Sequence, residues 1–190
     1  MSLDSLRAFV VALSELVESG ADEARILDEG RRLVGALVAT DDWLPEAFAR
    51  PHPQYYQQYL LYADPRERFS VVSFVWGPGQ KTPLHDHTVW GIVGVLRGQE
   101  RERSFVQRAD GSYAEAASAV LGAGGVTAVS PTIGDVHVVE NALDDGVSIS
   151  IHVYGGNIGR ISRHVFDAHS GAPKAFVSGY ASDVVPNLWA

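Results

Sequence analysis

The chain has 190 residues, 46% of them apolar and 20% charged, with a formal net charge of −8. That length suits one domain with a core of its own rather than two, and the excess of acid disfavours non-specific attraction to nucleic-acid phosphates. Cysteine is absent, which removes disulfides, thiolate ligands and cysteine nucleophiles together, so any metal must be held by nitrogen and oxygen.

At the N-terminus, Leu6, Phe9, Val10, Leu13, Leu16 and Val17 recur at helical spacing, and Gly20 stands where a helix should stop. The segment carries Asp4 and Glu15, has no basic leader and shows no cleavage-like site. It reads as an amphipathic helix of a cytoplasmic protein rather than a targeting signal, and no apolar run approaches membrane-spanning length. A second helix is expected from Asp22, carrying Ile26, Leu27, Leu33, Val34, Leu37 and Val38. The connector DDWLPEAFARPHPQ (41–54) is broken by prolines, with one turn of helix expected around Pro45–Ala49.

Beyond residue 55 the texture changes. RFSVVSFVW, TVWGIVGVLRGQE, RERSFVQR, GVTAVS, DVHVVEN and VSISIHVYG are short and β-rich, separated by turn chemistry in GPGQ, ADGS, GAGG, PTIGD and LDDG. Such spacing predicts an antiparallel sandwich or barrel. The mixed charges of RERFS and RERSF read as solvated faces. The expected organisation is one domain over 1–190, with residues 1–50 a helical cover and 55–155 a β core.

Candidate chemistry lies in the histidines. His85 and His87, in GPGQKTPLHDHTVWG, would point to the same side of a strand, with Asp86 on the other. His137 follows a Gly-Asp turn at the start of a strand, four residues before Asn141. His164 and His169 show no ligand spacing, and His52, between two prolines in the connector, is expected to be exposed. In VSISIHVYGG, strict alternation places Ser148, Ser150, His152 and Tyr154 on one face, which by itself suits a solvent-facing row. Asp135 suits either a turn or a carboxylate that orients a ligand histidine. Trp76, Trp90 and Tyr56 suit a pocket wall or the core.

Gly79, five residues, His85-x-His87 and then Gly98 resemble the first motif of the cupin superfamily. Gly125, Pro131, Gly134, His137 and Asn141 resemble the second, with one extra residue between Pro131 and Gly134. The resemblance implies a mainly β fold, a small jelly-roll barrel over residues 55–155 with the N-terminal helices packed on it and a metal on His85, His87 and His137. The glutamate usual in the first motif is missing, since its positions hold Gly91 and Ile92. Through YYQQYLL, RFSVVSFVWGPGQ, PLHDHTVWGIVGVLRG, GDVHVVEN and SISIHVYGG the chain resembles the bacterial thiol dioxygenases, the group of cysteine dioxygenase and 3-mercaptopropionate dioxygenase.

That resemblance implies one Fe(II) per chain on the three histidines, and a small thiol and O2 as partners, both oxygen atoms ending on sulfur as a sulfinate. It also implies a catalytic row of Ser150, His152 and Tyr154 beside the metal, though Tyr154 has no cysteine with which to cross-link. Gln58, or Gln57 in a shifted register, occupies the place where mammalian-type enzymes use arginine for the substrate carboxylate. This favours 3-mercaptopropionate first and L-cysteine second. Arg163 could fold back to supply the missing charge, or pair on the surface with Asp167. Neither nucleic acid nor membrane is an expected partner, and a monomer or weak homo-oligomer is expected. The alternative is a cupin of another class, a metal-dependent isomerase or a ligand-sensing module, since three imidazoles suit several first-row metals.

Overall fold

A computed structural model describes residues 2–189. Two N-terminal helices, α1 (Asp4–Glu18) and α2 (Glu23–Leu37), pack on an antiparallel sheet. Helix α1 buries Leu6, Phe9, Val10, Leu13 and Leu16, as its periodicity predicts. Asp22 caps α2 by accepting from the Arg25 N–H at 2.9 Å. The expected turn near Pro45 is a short 3₁₀ helix, Glu46–Phe48. No helix among the described residues is long and apolar enough to cross a membrane.

The strands are β1 (Gln57–Ala63), β2 (Ser70–Trp76), β3 (Gly91–Arg97), β4 (Gln99–Gln107), β5 (Tyr113–Gly122), β6 (Val126–Val129), β7 (His137–Asn141), β8 (Ser148–Tyr154), β9 (Arg163–Phe166) and β10 (Pro173–Phe176). One sheet has the order β1-β2-β8-β3-β6 and a second the order β5-β4-β7, while β9 and β10 form a hairpin. The segment Lys81–His85 lies beside β7 through isolated bridges, Lys81 to Glu140 and His85 to His137. From β5 to β8 the chain alternates between the two sheets, as in the connectivity of a jelly roll. The expected barrel is not closed, since among the described residues no strand pairing joins the five-stranded sheet to the three-stranded one.

Strands β2 and β8 are buried on both faces. On one side Val71, Val75, Ile149, Ile151 and Val153 join the helices in a large apolar core; on the other Val72, Phe74, Trp76 and Tyr154 face the interior of the sandwich. Paired glycines bring helix and sheet close. A β-carbon on Gly30 of α2 would lie 2.5 Å from the Ile92 side chain, and one on Gly94 of β3 would lie 2.5 Å from that of Val34. Because the helices cover one face and the second sheet the other, the polar row of β8 is buried.

Candidate metal site

His85 and His137 sit directly opposite each other. The His85 N–H donates to the His137 carbonyl at 3.2 Å, and the His137 N–H returns the bond at 3.1 Å. This narrow antiparallel pair sends both imidazoles to the same side, and His87 joins them. The three ring centroids lie 4.8–4.9 Å apart, and ligand atoms from all three fall within 4.8 Å of one another.

The His-x-His stretch is not the regular strand expected from its spacing. Pro83 has no N–H to give a ladder, and Thr88, at φ 62°, turns the chain away immediately after His87. The alternation nevertheless holds. Asp86 points outward, its carboxylate accepting from the His164 N–H at 2.7 Å and lying 2.9 Å from His164 Nδ1. His164 is thus tied to the outer face and His169 belongs to an exposed turn, whereas His52 is half-buried and stacked on Tyr55 at 3.9 Å.

Each candidate ligand has its Nδ1 occupied. His85 Nδ1 lies 3.0 Å from the Pro83 carbonyl, His87 Nδ1 2.7 Å from Asp135 Oδ1 and His137 Nδ1 2.8 Å from Glu102 Oε1. With those acceptors taking the Nδ1 protons, the Nε2 lone pairs are left to face the cavity. Burial, then the neighbouring imidazoles, holds His85 and His87 well below their ordinary range, so both are neutral and ready to ligate at neutral pH. Asp135 also accepts the backbone N–H groups of His87 and Thr88 at 2.9 Å, which makes it both the turn residue and the orienting carboxylate.

Glu102 was not singled out by sequence. It lies in the RERSF stretch, where the expected solvated face is wrong for one side of β4. Arg101 and Arg103 turn outward to Glu140, while Glu102 turns inward. Burial alone would raise its pKa, but the hydrogen bond with His137 Nδ1 helps hold it below the usual carboxylate range.

Among the described residues no carboxylate joins the three imidazoles. Gly91, where a cupin glutamate would stand, is opposite Tyr154 in the ladder, and a β-carbon there would lie 3.2 Å from the tyrosine ring. The phenol therefore fills the space of the missing ligand. Its ring stacks on His87 at 5.3 Å. Tyr154 Oη lies 2.8 Å from His152 Nδ1, and His152 Nε2 lies 2.8 Å from Ser150 Oγ. Burial pushes the Tyr154 phenol up and His152 well down, so both stay uncharged.

The imidazoles open on a cavity of about 470 Å³, walled by Tyr56, Phe74, Trp76, Val139 and Tyr154 among others. Trp90 lies outside it, against Gly155. Gln58 reaches the wall, but its amide donates to the Gly179 carbonyl at 2.9 Å; Gln57 is bound instead to the carbonyl of Tyr56. Arg163 also lines the cavity and is only 4% exposed, so the surface pairing with Asp167 does not form. One Nη donates to Ser178 Oγ at 2.7 Å, the guanidinium lies over Phe176 at 4.7 Å, and Nε has no partner. No carboxylate lines the cavity among the described residues.

The family model for cysteine dioxygenase type I matches residues 5–167. The match takes in both N-terminal helices and ends before β10, so Lys174, Phe176 and Ser178 on the cavity wall lie beyond it. Among solved structures, a conserved Klebsiella pneumoniae protein with a double-stranded β-helix domain is 20% identical, with 59% of this chain and 87% of that one covered and a TM-score of 0.47. A cupin superfamily protein of Desulfitobacterium hafniense is 12% identical, with coverages of 60% and 90% and a TM-score of 0.45. An oxalate oxidase bound to the substrate analogue glycolate is 20% identical, with 62% of each chain covered and a TM-score of 0.46.

Proposed function

The chain belongs to the cysteine dioxygenase type I family, and from that premise we propose that it is a non-haem Fe(II) thiol dioxygenase with one iron per chain. Its reaction takes a small thiol carboxylate and O2 to the sulfinate, with 3-mercaptopropionate preferred to L-cysteine. Written as RS⁻ + O2 → RSO2⁻, the reaction balances without an external reductant.

His85, His87 and His137 would hold the metal through Nε2, and their neutral donor set gives its two positive charges no anionic protein ligand. A substrate thiolate supplies one negative charge. Bound there, iron would supply the Lewis acidity that deprotonates the thiol and the redox chemistry that joins O2 to sulfur. The protein's own share is placement. Asp135 and Glu102 fix the imidazole rings, while Tyr56, Phe74 and Trp76 exclude water from the reacting groups. Tyr154, with Ser150 and His152 behind it, carries a hydroxyl on the cavity wall for the substrate carboxylate or for oxygen.

The substrate order rests on one observation. The cavity wall offers a buried guanidinium with an unpartnered N–H and the ammonium of Lys174, but no acidic group. A carboxylate finds a charged fork in Arg163, whereas the ammonium of L-cysteine finds no counter-charge. Gln58, a neutral amide bound to Gly179, shapes the wall without supplying charge. Replacing His87 by alanine tests the assignment: iron content and thiol oxidation should fall together. Stoichiometric iron with normal turnover in that variant would contradict it.

A further inference from the structure

Glu100, on β4, lies behind the polar row and is used by none of the steps above. It is 2% exposed. Its Oε1 accepts from Ser148 Oγ at 3.0 Å, and its Oε2 has no partner. Ser150 and Ser148 of β8 and Trp76 of β2 are the polar side chains set against it, and Asn141 of β7 stands opposite in the ladder. Glu102 on its own strand and His137 beyond it are the titratable groups beside the same small void, which Val93, Val95 and Leu121 otherwise close.

The row it backs can run in two senses. Trp76 Nε1 donates to Ser150 Oγ at 3.1 Å, which leaves the serine one lone pair and one proton. In the outward sense Ser150 donates to His152 Nε2, His152 Nδ1–H donates to Tyr154 Oη, and the phenol proton is free for the cavity. In the inward sense Tyr154 donates to Nδ1, Nε2–H donates to Ser150, and Ser150 must pass its own proton to an acceptor further back. Glu100 is the group placed to be that acceptor. As a carboxylate it completes the inward sense; as a carboxylic acid it fills the remaining serine lone pair and completes the outward one.

We propose that Glu100 is a positioning residue whose proton, acting through Ser150 and His152, turns the hydroxyl of Tyr154 outward so that it donates into the cavity. Ionisation of Glu100 reverses the row and withdraws that donor. The unpartnered Oε2 agrees with the acid form, because a dry carboxylate oxygen left without a donor is costly. Burial, aided by the charge of Glu102 and opposed by the hydrogen bond from Ser148 and the polar groups of Ser150 and Trp76 beside it, pushes the Glu100 carboxyl up to about 8.

The proposal uses the dioxygenase reading only for what Tyr154 would donate to, and its test needs no turnover. Long-range ¹H–¹⁵N spectra of His152 in the full chain loaded with diamagnetic Zn(II) report which ring nitrogen carries the proton. In the wild-type protein the proton should sit on Nδ1 at about pH 6 and move to Nε2 as the pH passes about 8. Glu100→Gln, whose amide can donate to Ser150 but cannot ionise, should hold the Nδ1–H form throughout. A wild-type Nε2–H form at about pH 6, or one tautomer across the whole range, would overturn the proposal, as would a Glu100→Gln protein that still switches. If the variant does not fold, the wild-type titration decides alone. A protein that switches as described but oxidises no thiol would retain this assignment and lose the dioxygenase reading.

Discussion

Arg163 is held between the Phe176 ring and Ser178 Oγ, with Nε unpartnered and no carboxylate within ion-pair distance among the described residues. A buried guanidinium in that state is stabilised by an arriving anion, because charge-assisted hydrogen bonds are worth about 1.5–3 kcal/mol. Arg163→Gln should therefore raise KM for 3-mercaptopropionate by about 10- to 100-fold, with a smaller effect on kcat and none on iron content. An unchanged KM would remove Arg163 from the substrate site. Asp135 acts one step further out, by clamping His87 Nδ1 and the backbone of the His-x-His turn. Asp135→Asn should weaken metal binding by about 10- to 100-fold, read as metal retained after dialysis against a chelator; undiminished retention would count against the clamp. The meeting of His85, His87 and His137 and the turn at Asp135 are legible in the sequence from spacing and turn chemistry, whereas the Ser150–His152–Tyr154 row, whose alternation alone suits a solvent face, is set beside them only by the family resemblance. Glu100 and Glu102 are not legible, since Glu-Arg-Glu-Arg alternation looks the same whether the acidic side faces water or a histidine. The position of Arg163 stayed open because it depends on a hairpin that the sequence barely signals.

At the scale of elements, the contact of α2 with β3 depends on facing glycines. Gly94→Ala would drive a methyl group into Val34, and overpacking of this kind costs about 1–3 kcal/mol. Its melting temperature should fall while the metal-bound site, on the opposite side of the sheet, keeps its spectrum; an unchanged melting temperature would mean that the helix simply moves aside. The two helices and most strands follow from apolar period and turn residues. Strand β5 was marked only by its hairpin turn, because its alanine-rich, largely exposed stretch lacks the usual β-branched signal. The hairpin of β9 and β10 also escaped, its strands being four residues each. It matters because β9 carries Arg163, His85 bridges Val165, and Phe176 and Ser178 complete the wall. The His-x-His stretch errs the other way: its side-chain alternation is that of a strand, but Pro83 and the turn at Thr88 deny it a ladder.

For the molecule as a whole, burial of uncharged titratable groups sets a stability window. His85, His87 and His152 are all held well below 6.5, so as the pH falls through that value the unfolded chain takes up protons that the folded chain refuses, and stability drops. Glu100 works in the opposite direction. Raised from 4.5 to about 8, it keeps in the folded state a proton that the unfolded chain releases, so stability declines as the pH rises across that interval. The metal-free chain should thus melt highest at weakly acidic to neutral pH, and Glu100→Gln should remove the decline that the wild-type chain shows as the pH rises towards about 8. A melting temperature that keeps rising to pH 8 in the wild-type chain would contradict the buried, proton-bearing Glu100. The same burial joins fold to function, since helices on one face and a second sheet on the other let neutral imidazoles, a neutral phenol and an unpaired guanidinium share one cavity.

The most direct test of the central claim is O2 consumption by the anaerobically Fe(II)-loaded protein, with sulfinate quantified, using 3-mercaptopropionate and L-cysteine at matched concentrations. Thiol dioxygenation predicts one sulfinate per O2 consumed, faster with 3-mercaptopropionate. A preference for L-cysteine would keep the chemistry but contradict the reading of the carboxylate-free wall. Bound iron with no coupled uptake of either thiol would contradict the proposed function itself.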